Sequence, residues 1–175
     1  MDRCDNCSVT YQAHDPRSVS AELRSLSRGY RTVLVDQWFG TDRTDVLVRR
    51  PAPGVWSPVE YGCHVRDVLL AQRERLFQAL VEDEPSFVPI YREERAVLAR
   101  YADESPEQVA TEIAFAIGLA AGAFDGVTDD GWARTCIYNY PQPSARTLLW
   151  LAQHTLHECV HHLHDIERIV GTLHT

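Results

Sequence analysis

The chain contains no lysine, so all 17 of its basic side chains are arginine. Against 25 acidic residues they leave a formal net charge of −8. Nucleic-acid recognition needs a basic face, so nucleic acid is not an expected partner. Long hydrophobic runs are also missing: no stretch approaches the roughly 18 apolar residues that cross a bilayer. The start Met1-Asp2-Arg3-Cys4-Asp5 has no apolar signal-peptide core, and a cytoplasmic location without a membrane partner is expected. Cysteine is scarce and odd in number: Cys4, Cys7, Cys63, Cys136 and Cys159. That argues against a disulfide framework. Cys63 and Cys159 fall in helical patterns and read as small buried hydrophobes. Cys4 and Cys7 form a C-x-x-C pair, which sets two thiolates within reach of one metal ion.

The remaining composition is that of an ordinary globular chain, and its apolar residues repeat at helical spacing. A first helix is predicted from about Ser18 to Phe39, stopped by Gly40 and the polar Thr-Asp-Arg after it. Ser57-Pro58-Val59-Glu60 combines an N-cap, a proline at the first helical position and a capping box, opening a second helix to about Glu82. Pro85 to Asp103 reads as a connection holding a short helix over Arg92–Tyr101. Ser105-Pro106-Glu107-Gln108 repeats the start signal and opens a third helix to about Phe124. There the small residues Gly118, Ala120, Ala121 and Gly122 predict close helix contact. After a loop from Gly126 to Pro143, Ser144 is expected to cap a fourth helix from Ala145 to Gly171. No run of strands stands out. The expectation is an all-α four-helix bundle over 18–175 with long connecting loops, preceded by an N-terminal extension over 1–17 carrying the C-x-x-C pair. The long connections mean that it need not be a simple up-down-up-down bundle.

The fourth helix holds five of the eight histidines between His154 and His164. Read literally, His157-Glu158-Cys159-Val160-His161 is the zinc-protease signature H-E-x-x-H. At about 100° per residue, however, Ala152, Leu156, Cys159, Leu163, Ile166 and Val170 form the core stripe, and His157 and His161 lie nearly opposite. Glu158 and His162 flank the stripe and can point inward. Two readings remain for the outer pair. His157 and His161 form a solvated histidine face, with Cys4 and Cys7 free thiols on a frayed end. Alternatively, the four residues supply the Cys₂His₂ set of a structural zinc site that pins the N-terminus to the helix.

Trp56-Ser-Pro-Val-Glu-Tyr-Gly-Cys-His64-Val-Arg-Asp67, followed by His162-Leu-His-Asp-Ile166, resembles the DinB-like (YfiT-like) superfamily. In that family a tryptophan opens the second helix, a histidine follows eight residues on, and an aspartate stands three beyond. The last helix carries H-x-x-x-H-x-x-Q-I or a variant. The resemblance spans Ser18 to Val170 and implies a metal centre of His64, Glu158 and His162, with Glu158 where the family usually has histidine. A His₂Glu set is itself a catalytic zinc arrangement with an open position. The resemblance further implies a zinc or nickel ion that activates a low-molecular-weight thiol for S-transfer to, or isomerisation of, a small electrophile. The arginine-only, actinobacterial-type composition favours mycothiol over bacillithiol. Asp67 is expected to accept an imidazole N–H, and Trp56, Tyr138 and Tyr140 to line a pocket. The plainer alternatives are a core histidine at position 64, ordinary loop packing for the aromatics, and a non-catalytic metal-binding or stress-response bundle. A homodimer is compatible with an acidic bundle of this size.

Overall fold

The computed structural model describes residues 3–38 and 44–172. Four long helices make its frame, and each begins at a local signal. Asp15 caps α1 (Pro16–Leu34) by accepting the backbone N–H groups of Arg17 and Ser18. The short α2 (Thr44–Val48) leads to α3 (Pro58–Val81), where the Ser57–Glu60 capping box forms in both directions. Beyond a 7-residue α4 (Arg92–Leu98), Ser105 caps α5 (Pro106–Asp125). A further short helix, α6 (Asp129–Ala133), precedes α7 (Leu148–Gly171), which is capped by Thr147. Among the described residues no helix is long and apolar enough to cross a membrane.

The long helices touch in the cyclic order α1, α5, α3, α7, so the consecutive pair α1 and α3 lie diagonally across the bundle. This is not an up-down-up-down ring, as the long connections suggested. The core stripe of α7, with Ala152, Leu156, Cys159, Leu163, Ile166 and Val170, is buried along its length. Two close approaches use glycine. A Cβ on Gly62 would stand 2.8 Å from Val109 Cγ1, and one on Gly29 would stand 2.9 Å from Leu163 Cδ2. Gly118 and Gly122, by contrast, have no neighbour there within 4 Å. Ala120 and Ala121 do pack inward, but the two glycines of the expected contact face outward.

Several boundaries differ from the sequence expectation. The first helix starts at Pro16 and gives way after Leu34 to a 3₁₀ turn over Asp36–Trp38; Phe39 and the stop signal at 40–43 lie outside the described residues. The short helix expected over Arg92–Tyr101 ends at Leu98 and is followed by a 3₁₀ turn at Tyr101–Asp103. The chain also forms a small sheet of three strands, β1 (Ser86–Phe87), β2 (Thr135–Tyr138) and β3 (Ser144–Thr147). β1 pairs with β2 in parallel, and β2 with β3 antiparallel. Ser144 therefore begins a strand rather than capping a helix, and Thr147 takes the cap. The sheet ties the segment before α4 to the segment before α7, and it brings Phe87 and Tyr138 to one end of the bundle.

Candidate metal centre

α7 presents two pairs at i, i+4 spacing, Glu158 with His162 and His157 with His161, offset by one residue. One residue turns a helix by about 100°, so the pairs face adjacent quadrants: the first meets α3, the second the N-terminal segment.

On the inner side, His64 of α3 reaches across to the first pair. His64 Nε2 lies 3.8 Å from Glu158 Oε2, and His162 Nε2 lies 3.7 Å from the same oxygen. Donor atoms bound at about 2.0–2.2 Å to one tetrahedral ion stand about 3.4 Å apart. The three side chains thus fit a divalent ion after a small closure, and their donor atoms all lie within 4.8 Å of one another. His64 is 2% exposed, and its buried Nδ1 has no hydrogen-bond partner. Burial, only partly offset by Glu158, holds its pKa below the ordinary histidine value, which favours the neutral imidazole that metals bind. For His162 burial acts downward too, but its hydrogen bonds to Asp165 and Glu158 outweigh it and carry the pKa up to about 9. Burial pushes the Glu158 carboxyl up, yet contacts with His157, His162 and His64 prevail and hold it well below the usual range. The interior cluster is therefore a carboxylate balanced by imidazolium until a cation takes the proton's place.

The side chain that orients the His162 ring is Asp165, whose Oδ2 lies 3.0 Å from His162 Nδ1. Its position one turn along α7 turns Nε2 toward Glu158, the carboxylate–histidine arrangement that fixes a ligand's tautomer. The sequence placed that role on Asp67. In the structure Asp67 instead accepts the Tyr101 hydroxyl at 2.7 Å and also receives Arg66 and Arg95, with no imidazole among its partners. Trp56 meets the His64 ring edge-on, with centroids 5.2 Å apart. It backs that ring from outside the main pocket.

That pocket, of about 330 Å³, opens over the inner cluster. His154, His157, His161 and His162 of α7 form its floor with Glu158, while Val68, Phe87 and Ile90 give apolar walls. Tyr138 lines it from β2, its ring edge-on to His154 at 5.1 Å. Tyr140 stands more than half exposed at its mouth. Two contributors escaped the sequence reading. Arg75 donates to Gln72 at 3.0 Å, and its guanidinium lies over the Phe87 and Tyr138 rings. His154, held neutral by burial with a pKa of about 4, shares a hydrogen bond of 2.9 Å between its Nδ1 and the Tyr11 hydroxyl. Its Nε2 faces Glu158 Oε1 at 3.8 Å. The i, i+4 spacing of His154 and Glu158 was a signal that could have found it.

On the outer side, Cys4, Cys7, His157 and His161 also bring four donor atoms within 4.8 Å of one another. Cys4 is 7% and Cys7 6% exposed, and His157 is 9% exposed. Neither a solvated histidine face nor a frayed terminus describes this arrangement, because residues 3–15 cover α7. Cys4 Sγ lies 3.4 Å from His161 Nδ1. Burial raises the Cys4 thiol, but contacts with His157, the backbone of Cys7 and Asn6, and His161 outweigh it and bring it down to about 6. Burial pushes Cys7 up to about 11.

Residues 34–166 match the family model of the DinB superfamily. The structure is also similar to that of YfiT from Bacillus subtilis, described as a probable metal-dependent hydrolase with an unusual four-helix bundle topology. The two share 15% identity at a TM-score of 0.76, over 91% of this chain and 87% of that one. No curated protein matches the chain.

Proposed function

The chain belongs to the DinB superfamily, and from that premise we propose that it is a divalent-metal-dependent enzyme that joins a low-molecular-weight thiol of the mycothiol type to a small electrophile, or isomerises one. The observation that carries this reading is the convergence of His64 Nε2 and His162 Nε2 on Glu158 Oε2, at 3.8 and 3.7 Å, on the floor of an open pocket. His64, Glu158 and His162 would hold the ion and leave a coordination position toward the pocket. A bound zinc or nickel ion supplies the Lewis acidity that makes a thiol a thiolate at neutral pH.

The chain's own residues do the rest. Asp165 fixes the His162 ring, and His154 and His157 face the second oxygen of Glu158 while the first is turned toward His64 and His162. Val68, Phe87 and Ile90 exclude water from the apolar part of an electrophile. Arg75 donates to Gln72, Tyr138 and the Val88 carbonyl; its guanidinium carries five N–H donors, and its charge at the pocket wall suits a hydroxyl-rich or anionic thiol. The fold likeness to YfiT favours one second reading, hydrolysis at the same centre with water in place of the thiol.

The test is a conjugation assay with a thiol and a model electrophile, run beside metal analysis. The wild-type protein should bind one interior equivalent of zinc or nickel, lose turnover on chelation, and lose both metal and turnover in His64→Ala. Turnover that survives chelation excludes the proposal. Turnover without thiol selects hydrolysis, and metal binding without any turnover selects a non-catalytic bundle.

A further inference from the structure

We propose that Cys4, Cys7, His157 and His161 form a second, closed zinc site that fastens the N-terminal segment to the outer face of α7. The donor set is two sulfurs and two imidazoles, which in tetrahedral geometry select zinc among common divalent ions. Its geometry is already near that of a bound state. Sulfur at about 2.3 Å and nitrogen at about 2.0 Å from one tetrahedral ion stand about 3.5 Å apart, against 3.4 Å for Cys4 Sγ and His161 Nδ1.

Three further observations point to a ligand rather than to packing. His157 is 9% exposed, yet neither of its buried ring nitrogens has a hydrogen-bond partner, Nδ1 standing 3.5 Å from Glu158 Oε1. Buried polar atoms left so are costly, and a cation bound through one nitrogen removes part of that cost. The backbone of the C-x-x-C pair is folded into a tight turn: Ser8 N–H donates to Cys4 O at 2.8 Å, and Cys4 N–H to Val9 O at 2.9 Å. The turn is closed by an Arg3–Thr10 bridge and needs Ser8 at φ 61°. It brings both sulfurs to one side, toward α7. Finally, the buried cluster here consists of only Cys4, Cys7 and Val9, and it meets the main core through Val160. So small an apolar contact does little to hold such a turn in place.

Binding forms two Zn–S and two Zn–N bonds, and whatever protons the two cysteines and two histidines hold at the binding atoms leave to solvent. Two thiolates neutralise the ion, so the buried centre carries no net charge. With four protein donors it has no open position and is structural rather than catalytic. Its effect on the interior pocket is through position. Tyr11 follows Cys7 by four residues, packs on His157 at 5.6 Å between centroids, and reaches His154. Fastening the segment holds Tyr11, and through it His154, against the pocket floor.

The two centres are told apart by cobalt. Cobalt bound to wild-type protein should give thiolate-to-cobalt charge-transfer bands in the near ultraviolet, which nitrogen and oxygen ligands do not produce. The bands should persist in His64→Ala. They should vanish in Cys4→Ser and weaken in His161→Ala, each with loss of one zinc equivalent by mass spectrometry. Cys4→Ser should also open residues 3–15 to protease. A wild-type cobalt protein lacking those bands overturns the proposal, and so does a Cys4→Ser protein that keeps the full zinc content. Neither result depends on activity at the interior centre.

Discussion

Glu158 stands between four imidazoles and gives each of its oxygens to two of them. Oε2 faces His64 and His162, while Oε1 faces His154 at 3.8 Å and His157 at 3.5 Å. A histidine in this place, as the family usually has, offers two ring nitrogens pointing apart and could not reproduce that fork. The carboxylate also brings a negative charge that three neutral imidazoles would lack. Glu158→Gln keeps the shape and removes the charge, so interior zinc affinity should fall at least tenfold by chelator competition, with the fold intact by circular dichroism. The two aspartates divide differently. Asp165→Ala removes the partner of His162 Nδ1 and should weaken interior metal binding by about 10- to 100-fold. Asp67→Ala should leave affinity nearly unchanged and cost about 1–3 kcal/mol of stability, because it strands the buried Tyr101 hydroxyl, while Arg66 keeps Glu112. Equal losses of affinity in the two variants would refute this assignment. The resemblance pointed to Asp67, the aspartate that stands three residues after His64 in the family's motif. What it could not show is that Tyr101, 34 residues away, claims that carboxylate first.

At the scale of elements, what could be read in the sequence is what local chemistry decides. The starts of α3 and α5 follow from Ser57-Pro58 and Ser105-Pro106, since caps act within one turn. The inward face of α7 follows from periodicity alone. The sheet does not: its strands are 2 to 4 residues long, too short for an alternating pattern, and β1 finds β2 some 50 residues later. Glycine spacing misled for a related reason, because only the partner helix reveals which glycine is approached. Gly62→Ala would push a methyl into Val109, whose branched side chain is stiff, with Leu34 and Ile113 behind it. We expect the overpacking to exceed the gain in helix propensity, leaving a loss of about 1–2 kcal/mol in urea denaturation. Gly118→Ala, with open space at the same point, should gain about 0.5–1 kcal/mol. A gain in both variants would mean that α3 and α5 are not in the contact described.

At the scale of the whole molecule, the diagonal placement of α1 and α3 leaves α7 flanked by both, and that is why one helix can serve an interior cluster and an N-terminal turn at once. Stability of this acidic chain should depend on pH through its paired carboxylates, above all Glu60. Its side chain is 4% exposed, receives Arg50 through two nitrogens, and accepts the Ser57 backbone N–H that completes the start of α3. Burial raises its pKa, but the Arg50 and Ser57 contacts outweigh this and hold it below the usual value of 4.5. A carboxyl depressed in the folded state binds protons more readily when unfolded, so its contribution is complete above the unfolded pKa and is lost as pH falls through the folded one. Arg50 is 44% exposed, which screens the ion pair and leaves the buried cap as the larger part. Glu60→Gln should therefore be less stable than wild type by about 1–3 kcal/mol near neutral pH. That gap should narrow as pH drops below about 4.5, where both proteins carry a neutral group. The histidine clusters titrate alike in the two proteins and cancel in the difference. Urea midpoints measured at about pH 7, 5 and 3 decide the matter: a gap that stays constant over that range would show that the ionised form of Glu60 does not hold the start of α3.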